Sequence, residues 1–348
     1  MRTAVVLFNL GGPDREEAIK PFRVNLFSDK AVIRAPWFIR LWLSRLIAGS
    51  SAKAAAENYK LMGGKSPLLE LTQAQGRALE SVLGPNYRCF IAMRYWHPFA
   101  RETVREVKAW APDRVLLLPL YPQFSTTTTG SSLTDWREAA AAAGLTVKVT
   151  ALCCWFDDKA YVASIAALVR EAIEDAMAQK PGLKLRVLFS AHGLPESIVK
   201  AGDPYQAQIE ATSAAVMAHL ANTGVESLVC YQSRATPQKW LEPSTIQALE
   251  QAGRDGVGVV VVPIAFVSDH IETLVELDIE NRHLAEKAGV PVYVRARVAN
   301  DDPDFIRAVA GLVRRAEKPG LCRGGSACGK HRDCPEPDRF KLNQDGLN

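Results

Sequence analysis

No stretch of this 348-residue chain reaches the ~18 consecutive apolar residues that a membrane-spanning helix needs. Basic runs long enough to act as an arm are absent, and a net charge of +4 is too small to argue for nucleic acid, so no nucleic-acid partner is expected. The apolar run at residues 4–10 is too short for a signal peptide and has no cleavage site after it. The hydroxyl-dense loop 123–132, Gln-Phe-Ser-Thr-Thr-Thr-Thr-Gly-Ser-Ser, lacks the glycine spacing and the lysine of a P-loop, which removes the support for nucleotide binding. There is no Pro/Gly/Ser linker near residue 150. Seven cysteines, an odd number, lie partly on apolar segments, which fits a reducing compartment without disulfides. A cytoplasmic location is expected.

With 48% apolar and 23% charged residues, the chain has the composition of an ordinary globular protein. Apolar, β-branched runs at 4–10, 89–95, 115–120, 147–152, 186–190, 227–232, 257–264 and 292–294 read as strands. They alternate with segments of helical period at 101–109, 161–178, 204–221 and 304–315. This pattern predicts an α/β fold of parallel sheets covered on both faces. A faint internal echo supports two halves: 114–125 and 258–268 are each an apolar strand, a proline, an aromatic and a serine. We therefore expect Rossmann-like halves at 1–150 and 151–315 with a cleft between them, followed by a tail at 316–348.

His192 ends an apolar run in Ser190-Ala191-His192-Gly193-Leu194-Pro195, where Gly193 and Pro195 predict a tight turn. Ligands in open α/β sheets bind beyond the carboxyl ends of strands, so this imidazole reads as a general base or metal ligand; a structural histidine bonded to a loop carbonyl is the plainer alternative. Asp269 and His270 have a similar address beyond the run 257–264. Glu272, Glu276 and Glu280 then recur every fourth residue, so a helix stacks three like charges on one stripe with no Lys or Arg to relieve them. That column suits a metal or proton path; a solvated acidic face explains it as well. Arg94 and Tyr95 beside His97 offer a cation and an apolar face to a ligand, or form a packed corner. Lys60 and Lys65 offer positive charge to a carboxylate-bearing ligand, or belong to an ordinary turn. The segment 36–47, with Trp37, Phe38, Trp42, Arg40 and Arg45, reads as a membrane-surface helix, a lip over a greasy ligand or a core helix. In the tail, Cys322, Cys328 and Cys334 stand in sequence that buries little. With Cys153 or Cys154 they make an iron–sulfur ligand set, with His331 a Cys₃His zinc site; free thiols are the third reading.

These segments together resemble the ferrochelatase family, from Asn9-Leu10-Gly11-Gly12-Pro13 through Gly63-Gly64-Lys65-Ser66-Pro67, Arg94-Tyr95-Trp96-His97-Pro98 and Tyr121-Pro122-Gln123-Phe124-Ser125. The likeness continues through the His192 turn, Gln232-Ser233-Arg234 with Trp240-Leu241, and Ser268-Asp269-His270-Ile271-Glu272-Thr273-Leu274, covering residues 1 to about 315. The resemblance implies insertion of ferrous iron, a substrate, into protoporphyrin IX with release of two protons; coproporphyrin or another tetrapyrrole, or non-catalytic tetrapyrrole or metal binding, are the alternatives. It implies His192 and Glu272 as catalytic and iron-handling residues, and an acidic π-helix ladder at Glu272, Glu276 and Glu280 with Asp269 and His270 beside it. Leu10, Lys60, Met62, Arg94, Tyr95, Tyr121 and Trp240 fall on the substrate pocket, and Trp37, Phe38 and Trp42 on a lip that touches a membrane. Some members carry a [2Fe–2S] cluster with three C-terminal ligands, which implies Cys322, Cys328, Cys334 and a fourth thiol. The animal position for that thiol falls on Ser164, leaving Cys153, Cys154 or Cys230, with Cys154 favoured.

Overall fold

The computed structural model describes residues 1–33, 35–233 and 238–316. Cys322, Cys328, Cys334 and His331 of the tail, and Arg234, lie outside the described residues. Two compact units emerge, one formed by Met1–Cys154 with the end of the last helix from Val309, the other by Trp155–Ala308.

In the first unit the strands β1 (Thr3–Asn9), β2 (Tyr87–Met93), β3 (Arg114–Pro119) and β4 (Lys148–Ala151) form a parallel sheet in the order β2-β1-β3-β4. Its helices are α1 (Ile19–Phe27), α2 (Trp37–Ser50), α3 (Ala52–Lys60), α4 (Leu68–Leu83), α5 (Ala100–Trp110) and α6 (Ser131–Ala142). Every residue of β1 is buried because both faces are covered. Ala4, Val6 and Phe8 point into a core with Val104 and Val107 of α5 and Leu133 and Trp136 of α6. Leu7 points the other way, towards Gly76 of α4.

The second unit repeats the plan. Strands β5 (Leu185–His192), β6 (Glu226–Gln232), β7 (Gly258–Pro263) and β8 (Tyr293–Arg295) are parallel in the order β6-β5-β7-β8. Helices α7 (Lys159–Gln179), α8 (Glu196–Lys200), α9 (Tyr205–Ala218), α10 (Thr245–Asp255), α11 (Arg282–Lys287) and α12 (Pro303–Ala316) accompany them. Local chemistry sets their ends. Asp158 caps α7 by accepting from the amides of Ala160 and Tyr161, and Ser244 with Gln247 forms a capping box on α10. The four valines of β7 are buried on both faces, which at about 1.5–3 kcal/mol for each such side chain makes this strand a main source of stability.

All eight expected strands are present, with ends displaced by two residues at most. The internal echo has a structural basis. Phe8 pairs with Pro119 across β1 and β3, as Ser190 pairs with Pro263 across β5 and β7. Counting two residues on, Leu10 occupies in the first unit the position that His192 occupies in the second.

The core reading of α2 is overturned. Trp37, Phe38, Ile39, Trp42 and Leu46 are exposed, Trp37 by 70% and Trp42 by 64%, while only Ser44 and Ala48 are buried. Small residues, not large ones, face inward, where Ser44 bonds Ser28 at the end of α1. No helix among the described residues is long and apolar enough to cross a membrane.

The packing of α10 rests on Gly253, since a Cβ there would stand 2.0 Å from the backbone oxygen of Ala288. Gly253→Ala is therefore expected to destabilise the protein by at least about 1–3 kcal/mol, read as a lower urea midpoint at unchanged slope.

Candidate active site

The second unit assembles the chemistry at the carboxyl ends of its strands. β5 runs as far as His192, which pairs with Gln232 at the end of β6. The turn that follows is pinned by backbone bonds: the Gly193 amide donates to the Gln232 carbonyl at 2.8 Å, Leu241 to Leu194 at 3.0 Å and Glu196 to Lys239 at 2.9 Å. A Cβ at Gly193 would lie 2.9 Å from the Gln232 oxygen and 3.2 Å from the Trp240 ring, so only glycine lets the indole seat against the turn. Trp240 is thus a buried support for the His192 turn.

His192 Nδ1 lies 2.8 Å from Glu272 Oε2, although the two are 80 residues apart in the chain. Glu272 opens a π-helix, Glu272–Asn281, wound with i→i+5 hydrogen bonds. The three carboxylates of the stripe differ sharply in surroundings. Glu272 is nearly buried against His192, Glu276 is half-buried and Glu280 is exposed. Neutral donors among the described residues serve the middle one. Glu276 accepts from the Ser233 amide at 2.9 Å, from the Ser233 hydroxyl and from Gln232 Nε2 at 3.2 Å. The Ser233 hydroxyl also lies 3.3 Å from Glu272 Oε2.

Asp269 sits in a different net. It exchanges hydrogen bonds with Asn300, its amide donating to Asn300 Oδ1 at 3.0 Å and its carboxylate accepting from Asn300 Nδ2 at 2.9 Å. The Thr273 hydroxyl donates to it at 2.8 Å and accepts from the His270 amide at 3.0 Å. Arg295 lies 3.4 Å from Asp269 and grips Asp278 with two bonds of 2.7 and 2.8 Å. One guanidinium thus ties the segment before the π-helix to the helix's second half. His270 is buried, its Nδ1 3.2 Å from the Ser268 carbonyl and its Nε2 3.9 Å from Glu272 Oε1.

Electrostatics separate these groups. Burial alone would lower His192, but the Glu272 charge and hydrogen bond, with Glu276 behind them, outweigh it and hold His192 above the usual histidine value. Burial would raise Glu272, yet the His192 charge and hydrogen bond prevail and keep it well below the carboxylate range. Glu276 is pushed up by burial and by the Glu272 charge. Burial pushes His270 below the usual histidine value; its Nδ1 faces the Ser268 carbonyl and its Nε2 faces Glu272.

The first-unit candidates are placed separately. Leu10 and Met62 are half-buried apolar side chains, and Leu10 packs on a cluster of Phe22, Tyr95 and Trp96. Tyr95 is buried with its hydroxyl on Asp29 at 2.8 Å. Arg94 pairs with Asp29 at 2.9 Å and donates to Ser131 at 2.6 Å. Both residues are thereby committed to an internal polar net around Asp29. Tyr121 packs against the first core, and burial raises its phenol. Lys60 and Lys65 pair with Glu57 and Glu70 at the surface, contacts of small energetic weight. The hydroxyl loop turns inward as a π-helical turn, Thr126–Gly130, with Ser125 bonded to Thr127 and Ser131 to Asp29.

Comparison with known proteins gives the family. A family model described as "Ferrochelatase" matches residues 2–317. The chain belongs to the ferrochelatase family. Among curated members, the ferrochelatase of Caulobacter vibrioides is 50% identical over 335 residues, with 94% of each chain covered. That of Phenylobacterium zucineum is 49% identical over 332 residues, again with 94% of each covered. Among solved structures, the sirohydrochlorin chelatase SirB from Bacillus subtilis subspecies spizizenii, in complex with cobalt, has a TM-score of 0.52. It shares 12% identity, with 92% of this chain and 97% of that one covered, and shows the chelatase-like fold.

For an iron–sulfur cluster, the described residues offer little. Among them, no three His, Cys, Asp or Glu side chains form a group that holds a metal ion. Cys153 is buried and Cys154 half-buried, their sulfurs 3.7 Å apart. Cys230 is buried in the core beside Thr245, and burial pushes its thiol up to about 11.

Sequence reasoning missed Gln232 and Ser233 as parts of the site, along with Arg295 and Asn300. The first two stand at the end of a strand, the placement that singled out His192, and that signal was available.

The pair has a calculable pH signature. A raised His192 stabilises the fold below about 6.5 and loses this as pH climbs through its folded value; a lowered Glu272 stabilises above about 4.5 and loses this as pH falls. The melting-temperature difference between wild type and Glu272→Gln is expected to peak between these values and shrink on either side. Glu276→Gln removes a charge that favours the imidazolium, so the acid limb of the kcat/KM profile is expected to move to lower pH.

Proposed function

We infer that this chain inserts ferrous iron into protoporphyrin IX, releasing two protons, and does so on the His192–Glu272 pair. The observation that carries this is the 2.8 Å contact of His192 Nδ1 with Glu272 at the carboxyl end of β5. With Nδ1 engaged, Nε2 is the ring nitrogen left for chemistry. Pyrrole N–H groups are very weak acids, so a base must reach them directly, and the imidazolium formed on Nε2 is stabilised by the adjacent carboxylate. Glu272 orients the ring and balances its charge. His270 Nε2 and Glu272 Oε1 face one another as two acceptors, an arrangement that attracts the incoming ferrous iron or a departing proton. Glu276, inclined to protonation, and exposed Glu280 lead outward and form the metal and proton path; Asp269 contributes by fixing the start of the π-helix.

Leu10 and Met62 are the apolar porphyrin contacts of the first unit. Lys60, Arg94, Tyr95 and Tyr121 in the first unit, and Trp240 in the second, are proposed as further substrate-binding residues. The exposed aromatics Trp37, Phe38 and Trp42 support a cytoplasmic protein with peripheral membrane contact. A [2Fe–2S] cluster on Cys322, Cys328, Cys334 and Cys154 is proposed for the tail; its ligands suit such a cluster by type, and no step above passes through it.

An anaerobic assay with ferrous iron and protoporphyrin, followed in the Soret and Q bands, tests the reaction. His192→Ala and Glu272→Ala are each expected to lower kcat by at least ~10²-fold; near-normal turnover in either removes it from the site. Stoichiometric binding without turnover replaces the enzyme by a carrier, and faster turnover of coproporphyrin changes the substrate. Anaerobically purified protein is expected to be coloured and to contain iron and acid-labile sulfide. A colourless protein containing zinc overturns the cluster.

A further inference from the structure

Ser233 joins the two inner carboxylates of the column. It follows the last residue of β6, and its φ of +64° lies in the left-handed region that side chains other than glycine seldom adopt. That conformation presents both its donors to the π-helix. The amide donates to Glu276 Oε1 at 2.9 Å; the hydroxyl donates to Glu276 Oε2 and stands 3.3 Å from Glu272 Oε2. Gln232 Nε2 reaches the same Glu276 oxygen at 3.2 Å and the Glu272 carbonyl at 3.2 Å. Gln232 is held in turn by the Ser190 hydroxyl, which donates to its Oε1 at 2.7 Å within the sheet. A hydroxyl has one proton and serves one carboxylate at a time, so Ser233 bridges the pair without neutralising either. Backbone held in a disfavoured region persists where its surroundings over-determine it, and such residues gather at functional sites.

We propose that Ser233 is a positioning residue for metal insertion: it holds the Glu276 carboxylate one hydroxyl away from the His192–Glu272 pair and keeps the acidic column continuous from the strand end outward. This rests on the roles given above to His192 and Glu272. The strained backbone separates a positioning role from a structural one. Ser233→Gly loses the hydroxyl but relaxes the left-handed conformation, whereas Ser233→Thr keeps the hydroxyl and adds a β-branch that this conformation resists.

The test compares melting temperature, kcat and KM for porphyrin in both variants of the full chain. For Ser233→Gly, the expected result is a melting temperature at or above wild type, with kcat lower by roughly tenfold or more and KM changed less than about twofold. Ser233→Thr is expected to melt lower yet retain more kcat than Ser233→Gly. Normal kcat in Ser233→Gly overturns the proposal. So does kcat that follows melting temperature across the two variants, or a loss that appears in KM alone. Normal turnover in His192→Ala instead removes the reading on which the proposal rests.

Discussion

Like charges gathered on one side of a short helix repel, and burial makes the repulsion worse by weakening solvent screening. Asp269, Glu272, Glu276 and Asp278 lie within ten residues at the end of β7, so the second unit must hold four carboxylates together. It does so with three kinds of partner. Arg295 braces Asp269 and Asp278, His192 pairs with Glu272, and the neutral donors of Gln232 and Ser233 take Glu276. The outcome is a graded site: a depressed carboxylate beside a raised imidazole, then a raised carboxylate, then an exposed one. Groups whose environments push their affinities for protons apart are what acid–base chemistry needs.

The two sheets share one strand order, yet only one carries this chemistry. Where β5 ends in His192, the equivalent register of β1 leads to Leu10, packed on Tyr95, Trp96 and Phe22. Beyond β7 stands the acidic π-helix; beyond β3 stands a π-helical turn of threonines whose neighbour Ser131 bonds inward to Asp29. A repeated architecture therefore supplies a reactive strand end in one unit and an apolar one in the other.

Much of this was legible in the linear pattern. Short apolar, β-branched runs alternating with helical segments read as strands of parallel sheets, and eight such runs placed the sheets to within two residues. His192 and the glutamate stripe were visible because strand ends are where such sheets bind ligands. The fate of α2 was not legible: its inward face is built of Ser44 and Ala48, so the large residues that dominate its hydrophobicity are the exposed ones. The partner that Arg94 and Tyr95 share was not legible either: Asp29 lies 65 and 66 residues earlier.

The sequence by itself determined the two parallel sheets, the turn that presents His192 and the spacing of the acidic stripe. These depend on side-chain period and local turn chemistry, which neighbouring residues contain. Only the tertiary structure decided that Glu272 is the histidine's partner, that the stripe is wound as a π-helix, and that Ser233 stands left-handed between two carboxylates. Those partners lie 39 to 80 residues apart and are brought together by the order in which β5, β6 and β7 pair. Strand order is set by how the whole apolar core closes, a property that no local stretch of the chain contains.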